Sequence, residues 1–156
     1  MKTRELQTLW WDWLGTSERL LRSLHEQTAA VTLRDVARVE RIQPELDALL
    51  ERVKSIDESA AACAKKLAEE FGTEPNLRSL VTALDKAEAQ QLQGLSNRVI
   101  VAARNLQEVF AKNRTLIENE LTYVNGSLTL IAKAVTHSEG KFSAPGRTAV
   151  LVDHAA

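Results

Sequence analysis

Residues that break helices are scarce in this chain, and apolar residues recur at helical spacing between them. The 156 residues include only three prolines and six glycines, the two residue types that a helix interior tolerates least. Over most of the chain the apolar residues follow one another at steps of three and four, which is the spacing of one helix face. The sequence therefore predicts an all-α fold.

Five helical segments are predicted from this spacing and from the stop signals between them. Pro44 lies inside the second apolar series, where a proline removes a hydrogen bond and clashes with the preceding turn, so we expect a break or a kink there. Gly72 is a suitable C-terminal stop, Asn76 a suitable N-cap, and Thr32 with Asp35 a plausible earlier cap. In chain order, the predicted helices cover residues 2–30, 33–42, 44–71, 77–84 and 85–135.

The last predicted helix sets the overall shape. At 1.5 Å per residue it is roughly 75 Å long, too long for a compact globule. We expect an elongated antiparallel helical bundle or coiled-coil hairpin with one very long C-terminal helix. The helical period ends near residue 136, so the sequence predicts a helical bundle over 1–136 and a flexible C-terminal tail over 137–156.

Composition and charge argue against several classes of protein. The chain has 20 Lys and Arg against 21 Asp and Glu, so it lacks the basic surplus of a general nucleic-acid binder. A single cysteine excludes an intrachain disulfide framework and a multi-cysteine zinc site. No apolar run has the length of a signal-peptide core or of a membrane span. We expect a cytoplasmic protein that neither binds nucleic acid nor inserts into a membrane.

Catalytic and metal-binding motifs are absent from the sequence. The three histidines form no Glu-x-x-His or His-Glu-x-x-His pattern, and the glycines form no phosphate-binding loop. Cys63 falls on the apolar series of the second helical region, where a small core residue is expected. The sequence predicts no enzymatic activity, no catalytic residue, no metal and no cofactor.

All three tryptophans lie within four residues. On a helix, Trp10 and Trp13 share a face, whereas Trp11 points about 100° away. Either Trp10 and Trp13 fill the core with Trp11 at its edge, or at least one ring lies on a contact surface, where tryptophan is enriched. The sequence leaves both alternatives open.

The region 113–131 has apolar residues on more than one helix face. A surface helix with one core contact needs a single apolar stripe, so a second stripe indicates burial from two sides or a surface that binds a partner. We take this region as the predicted binding surface. Its apolar residues are Leu116, Ile117, Leu121, Tyr123, Val124, Leu128, Leu130 and Ile131.

The same region carries a family resemblance. The stretch 113–128, NRTLIENELTYVNGSL, resembles the end of the longest helix in FlgN-like flagellar export chaperones, which has the form Asn-x-x-Leu-(Ile/Leu)-x-x-x-Leu-x-(Phe/Tyr)-(Val/Ile)-Asn-x-x-Leu. The stretch 142–147, FSAPGR, resembles the aromatic-x-x-x-Gly tail of that family. The order of helices also fits over nearly the whole chain.

The resemblance implies a cytoplasmic chaperone of flagellar type III export. Such a chaperone binds the C-terminal helical region of hook-associated proteins, which form the hook–filament junction, and prevents their premature assembly; export-gate components are further partners that it implies. The partner-binding residues that the resemblance carries over are Asn113, Leu116, Ile117, Leu121, Tyr123, Val124, Asn125, Leu128 and Phe142.

A second interpretation is a structural coiled-coil protein without enzymatic activity that associates with itself through the same apolar series. The long helix and the polar Asn113 within its series suit both interpretations, because a buried polar residue can set the register of a coiled coil. The oligomeric state is left open.

Overall fold

The computed structural model describes residues 2–139, with side chains described from Lys2 to Leu121. This part of the chain contains helices and loops and no strand, which confirms the predicted all-α helical bundle. The helices, in chain order, are α1 (Arg4–Thr32), α2 (Val36–Phe71), α3 (Leu77–Thr82) and α4 (Lys86–Glu139).

Side-chain and glycine caps set the loops between the helices. The carboxylate of Asp35 accepts a hydrogen bond from the Arg38 amide and caps α2. Gly72 ends α2 in the left-handed conformation, with φ at 65°, and Asn76 caps α3, both as predicted. The predicted cap at Thr32 is wrong, because Thr32 is the last residue of α1 and its hydroxyl donates to the backbone of that helix.

The second helix runs without interruption through Pro44. The prediction of a separate helix over 33–42 is wrong, since one helix covers Val36–Phe71 and residues 33–35 form the loop before it. Pro44 is exposed, whereas Ile42 and Leu46 on either side of it are buried in the core. Packing of these two side chains holds the helix together across the missing hydrogen bond, because tertiary contacts supply most of the stability of a helix in a protein.

Helix α1 is the central element and packs along both α2 and α4. The three-residue loop folds α2 back on α1 as an antiparallel hairpin, and Arg52 on α2 pairs with Asp12 on α1. Helix α4 runs parallel to α1, because Thr3 meets Glu88 and Thr28 meets Asn113 at the same sequence separation. In the described residues no Cα atom of α2 lies within 8 Å of one of α4, so these two antiparallel helices meet only through side chains.

The described side chains, up to Leu121, form two buried apolar clusters. The first cluster lies in the half of the bundle that is close to the α1–α2 loop. The second lies in the opposite half, near the N-terminus of the chain and the ends of α2 and α3. Cys63 belongs to the second cluster, as predicted. The first cluster contains Trp13, Leu20, Leu24, Ala30, Ile42, Leu46, Leu49, Ile56 and Leu106. The second contains Leu6, Ala60, Cys63, Leu67, Ala68, Leu80 and Leu92.

Helix α4 continues past the end of α1. The parallel register places Thr32, the last residue of α1, opposite Ile117. From there α4 continues to Glu139, a further length of about 33 Å. The very long C-terminal helix is therefore confirmed, while residues 140–156 of the predicted tail lie outside the described residues, so the tail stays a prediction.

Candidate functional site

Asn113, the first residue of the predicted binding motif, lies inside the bundle. Its side chain is 2% exposed, and its amide nitrogen donates to the Leu24 carbonyl at 2.8 Å and to Oε1 of Gln27 at 3.1 Å. Its amide oxygen accepts a hydrogen bond from the Thr28 hydroxyl. Both amide hydrogens are used within the chain, so Asn113 joins α4 to α1.

Leu116, Ile117 and Leu121 are half-buried at the level where α1 ends. Two exposed ion pairs lie beside them. Arg114 pairs with Glu118 one turn further along α4 at 3.1 Å, and Arg34 of the α1–α2 loop pairs with Glu120 at 2.8 Å. Exposed pairs of this kind add little stability, but the second one shows that the loop lies against α4 at this level.

The α1–α2 loop brings two further apolar side chains to this end of the bundle. Leu33 is 70% exposed and Val36 is 67% exposed. Asp35 between them caps α2, so Val36 takes the first position of that helix, beside the α1–α2 loop. The spacing of Val36 from Val39 alone is typical of a core position, and no local pattern marks Leu33 as exposed. We refer to Leu33, Val36, Leu116, Ile117 and Leu121 as the end surface.

The remaining predicted site residues follow Leu121 in the sequence. The side chains of Tyr123, Val124, Asn125 and Leu128 lie outside the described residues, although their positions belong to α4. Phe142 lies outside the described residues altogether. The described part of the site is thus the end surface, and the helix that carries the rest of the motif continues directly from it.

The three tryptophans have three different environments. Trp13 is buried in the first core cluster, and Trp10 is half-buried against the second. Trp11 is 53% exposed, and the guanidinium of Arg98 on α4 lies 5.5 Å from the centre of its ring, within the range of a cation–π contact. Arg98 was not expected from the sequence, since the pairing depends on the register of α4 on α1.

Trp11 and Arg98 border a groove between α1 and α4. Its volume is about 540 Å³, and its lining includes Gln7, Gln91 and Gly94. A Cβ atom added to Gly94 would meet nothing within 4 Å, so the groove is open above this glycine. Among the described side chains, no carboxylate lines it.

Neither a metal centre nor a membrane span is found in the described residues. Among the described side chains, from Lys2 to Leu121, no three His, Cys, Asp or Glu residues come together as a set of metal ligands. No helix of this part combines the length and the apolar character that crossing a membrane requires.

Comparison with known families gave a match over most of the chain. A family model described as FlgN protein matches residues 1–149, which is nearly the whole chain. No match was found among curated proteins or among solved structures.

Proposed function

Because the chain belongs to the FlgN protein family, a family of flagellar export chaperones, we propose that it binds the C-terminal helical region of the hook-associated proteins of the hook–filament junction. In this proposal the complex forms in the cytoplasm and prevents assembly of the client before type III export. Export-gate components are the partners that receive the client afterwards. The bundle over 1–136 and the tail over 137–156 act as the two units of the chaperone.

The end surface is the observation that supports this proposal. Five apolar side chains are exposed or half-buried where α1 and the α1–α2 loop end. Beyond them, α4 continues for 18 residues past Leu121 without α1 in register beside it. In the sequence this part of α4 carries Val124, Leu128 and Ile131 at helical spacing. Because α1 ends before this part of α4, the apolar face of α4 can bind a helix of a partner protein there.

At such a site, the apolar face of the client helix packs against the apolar face of α4. A client helix that assembles into a filament junction has an apolar face that must be kept from other copies. Laying that face against α4 removes it from water, and each buried apolar side chain contributes about 1.5–3 kcal/mol. Because the client must later be released, an affinity well short of a permanent complex is expected.

Within the predicted set, the residues are proposed to play two different roles. Leu116, Ile117 and Leu121 are proposed client contacts, since part of each side chain is accessible. Asn113 is proposed to support the site from inside, because its hydrogen bonds hold α4 on α1 at the base of the site. The proposed contacts that lie outside the described side chains are Tyr123, Val124, Asn125, Leu128 and Phe142.

The decisive experiment is a binding titration with the purified full-length chain and the purified hook-associated junction protein of the same organism. A paired variant, Leu121→Asp with Tyr123→Ala, is compared with Asn119→Ala, a change at an exposed polar position of the same helix. Helicity is checked by circular dichroism for each variant. We expect the paired variant to lose binding by about tenfold or more and the control to bind as the wild type does.

Two results would contradict the proposal. If the wild type binds no hook-associated protein and instead forms a concentration-dependent oligomer, the chain is a self-associating coiled-coil protein. If the wild type and the paired variant bind the client equally well, the chaperone role stands but the client surface lies elsewhere.

A further inference from the structure

We propose that the groove between α1 and α4 that contains Trp11 and Arg98 binds a second part of the client helix, one that carries an acidic side chain. This inference rests on the proposed function, because it takes the client as the occupant. It adds a second contact region, near the N-terminal ends of α1 and α4, and it states the charge of the client residue that docks there.

Arg98 holds Trp11 in a conformation that is ready to bind. An exposed tryptophan is free to adopt several rotamers, but here a guanidinium lies over the ring at 5.5 Å and limits its motion. Trp11 therefore loses little conformational freedom when a partner covers it, and buried tryptophan and arginine are the residues that most often dominate an interface.

The charge of the groove selects its occupant. Its lining consists of Arg98, three glutamines, Trp11, Gly94 and Leu95, without a carboxylate. In the described residues Arg98 forms no salt bridge, in contrast to Arg34, Arg52 and Arg114. Its guanidinium therefore keeps donors for a carboxylate of the partner. Glutamine side chains add donors and acceptors at the rim of the groove.

Gly94 gives the partner room to approach. The space above its Cα is open, and it lies one turn before Arg98 on the same side of α4. A helix that packs here can bring its backbone or an apolar side chain close to α4, with Trp11 as the opposite wall.

The groove and the end surface lie along one line of α4. Arg98 and Leu116 are 18 residues apart, which is five complete helical turns, so they lie on the same face about 27 Å from each other. Leu14, Leu21 and Val109 are half-buried against the first core cluster, between the two levels. One client helix of about 18 residues can therefore reach both places.

The chain's own tail is excluded from the groove by distance. Glu139, the last residue of α4, is 41 residues past Arg98, or about 62 Å along the helix. The apolar residues 150–152 follow Glu139 by at most 13 residues, which span no more than about 45 Å when fully extended. Within one molecule these apolar residues cannot reach Arg98, which favours a partner chain as the occupant of the groove.

Three variants test the inference with the purified C-terminal helical segment of the hook-associated junction protein as the probe. Arg98→Glu reverses the charge of the groove, and Gly94→Leu fills it. Leu116→Asp disrupts the end surface. The matched controls are Arg104→Glu, an exposed arginine on another face of α4, and Ala62→Leu, an exposed alanine on α2.

We expect Arg98→Glu and Gly94→Leu to weaken binding by about tenfold or more, and both controls to bind as the wild type does. A client segment in which an acidic residue is changed to lysine should restore binding to Arg98→Glu. If both groove variants bind as the wild type does while Leu116→Asp does not, the inference is wrong and the proposed function stands. If the wild type does not bind the segment, the proposed function fails and the inference fails with it.

Self-association is measured in the same series by light scattering. A wild-type dimer that Arg98→Glu converts to a monomer would assign the groove to a second copy of the chain and overturn the inference. If the wild type and the variants have the same mass in solution, the result agrees with the inference, provided that the client titrations give the expected losses of affinity.

Discussion

The Thr3 hydroxyl donates a hydrogen bond to the Glu88 carboxylate at 2.6 Å, and both residues are buried. The Thr3 amide donates to the same oxygen at 2.8 Å. Further along both helices, Thr28 and Asn113 form a hydrogen bond at the same separation of 85 residues. These two polar contacts, one buried and one partly buried, have the same separation and fix a single parallel register of α1 on α4.

Glu88 should make the stability of the bundle depend on pH. The two hydrogen bonds from Thr3 lower the pKa of Glu88 from its ordinary value of 4.5. The stabilisation is therefore fully present above the unfolded-state pKa and is lost as the pH falls through the lower folded-state pKa. We expect Glu88→Gln to reduce the free energy of unfolding by about 1–2 kcal/mol at neutral pH. The difference from the wild type should shrink in acid, as measured by urea unfolding over a pH series.

Glu69→Gln is the control for this series, since Glu69 is an exposed carboxylate on α2. Its substitution should leave both the stability and its pH dependence close to those of the wild type. A Glu88→Gln deficit that stays constant down to strongly acidic pH would mean that the carboxylate charge contributes nothing to the register.

Substitution of Asn113 should affect the stability of the fold directly and client binding only as a consequence. Asn113→Ala removes the hydrogen bonds that join α4 to α1 and leaves the buried Oε1 of Gln27 without its donor, and such an unpaired buried group costs about 1–3 kcal/mol. We expect a loss of about 2 kcal/mol in the free energy of unfolding, measured by denaturant titration. Asn119→Ala, an exposed change six residues later, should have almost no effect. Unchanged stability in Asn113→Ala would show that the hydrogen bonds to α1 do not hold α4.

Pro44 should lower the stability of α2 even though the helix is continuous. The proline has no amide to donate, and a helix interior with proline is about 3 kcal/mol less favourable than one with alanine. Pro44 is exposed, so Pro44→Ala removes no core contact. We expect a gain of about 1–3 kcal/mol in the free energy of unfolding, seen as a higher Tm. A lower Tm would mean that the proline shapes α2 to fit α1.

The helices could be predicted from the sequence because their signals are local. Gly72 and Asn76 adopt the capping conformations that their residue types favour, and the apolar spacing predicts the long final helix. The continuity of α2 could not be predicted, since it depends on Ile42 and Leu46 being held by another helix. Local rules for proline take no account of that packing.

The candidate site was only partly predictable, for the same reason. A second apolar stripe, which is a local pattern, predicts Leu116, Ile117 and Leu121 as contacts, and the structure leaves each of these side chains partly accessible. Asn113 was assigned to the partner surface by resemblance, but its hydrogen bonds to α1 follow from the register. The pairing of Trp11 with Arg98 joins residues 87 positions apart. No pattern in a single sequence indicates that residues so far apart in the chain are in contact.

Cys63 should be unreactive in the folded protein. Burial raises the pKa of its thiol, and the nearby carboxylates of Glu5 and Glu70 raise it further, against a smaller opposite effect from Lys66. Because the thiolate is the reactive form, we expect a water-soluble disulfide reagent to label Cys63 only as fast as the bundle opens. The measurement compares labelling of the native and the denatured chain. Rapid labelling of the native chain would place Cys63 on an accessible surface.

Removing everything after Leu121 should separate folding from client binding. The ion pair between Arg34 and Glu120 joins α4 to the α1–α2 loop, and Thr32 ends α1 opposite Ile117. A chain that ends at Leu121 keeps the residues of both core clusters and of both register contacts. We expect its free energy of unfolding to stay within about 0.5 kcal/mol of the full chain, while binding of the junction protein is lost. A large loss of stability would show instead that residues 122–156 pack on the bundle, and the apolar residues of this part of α4 would then belong to the chain's own core.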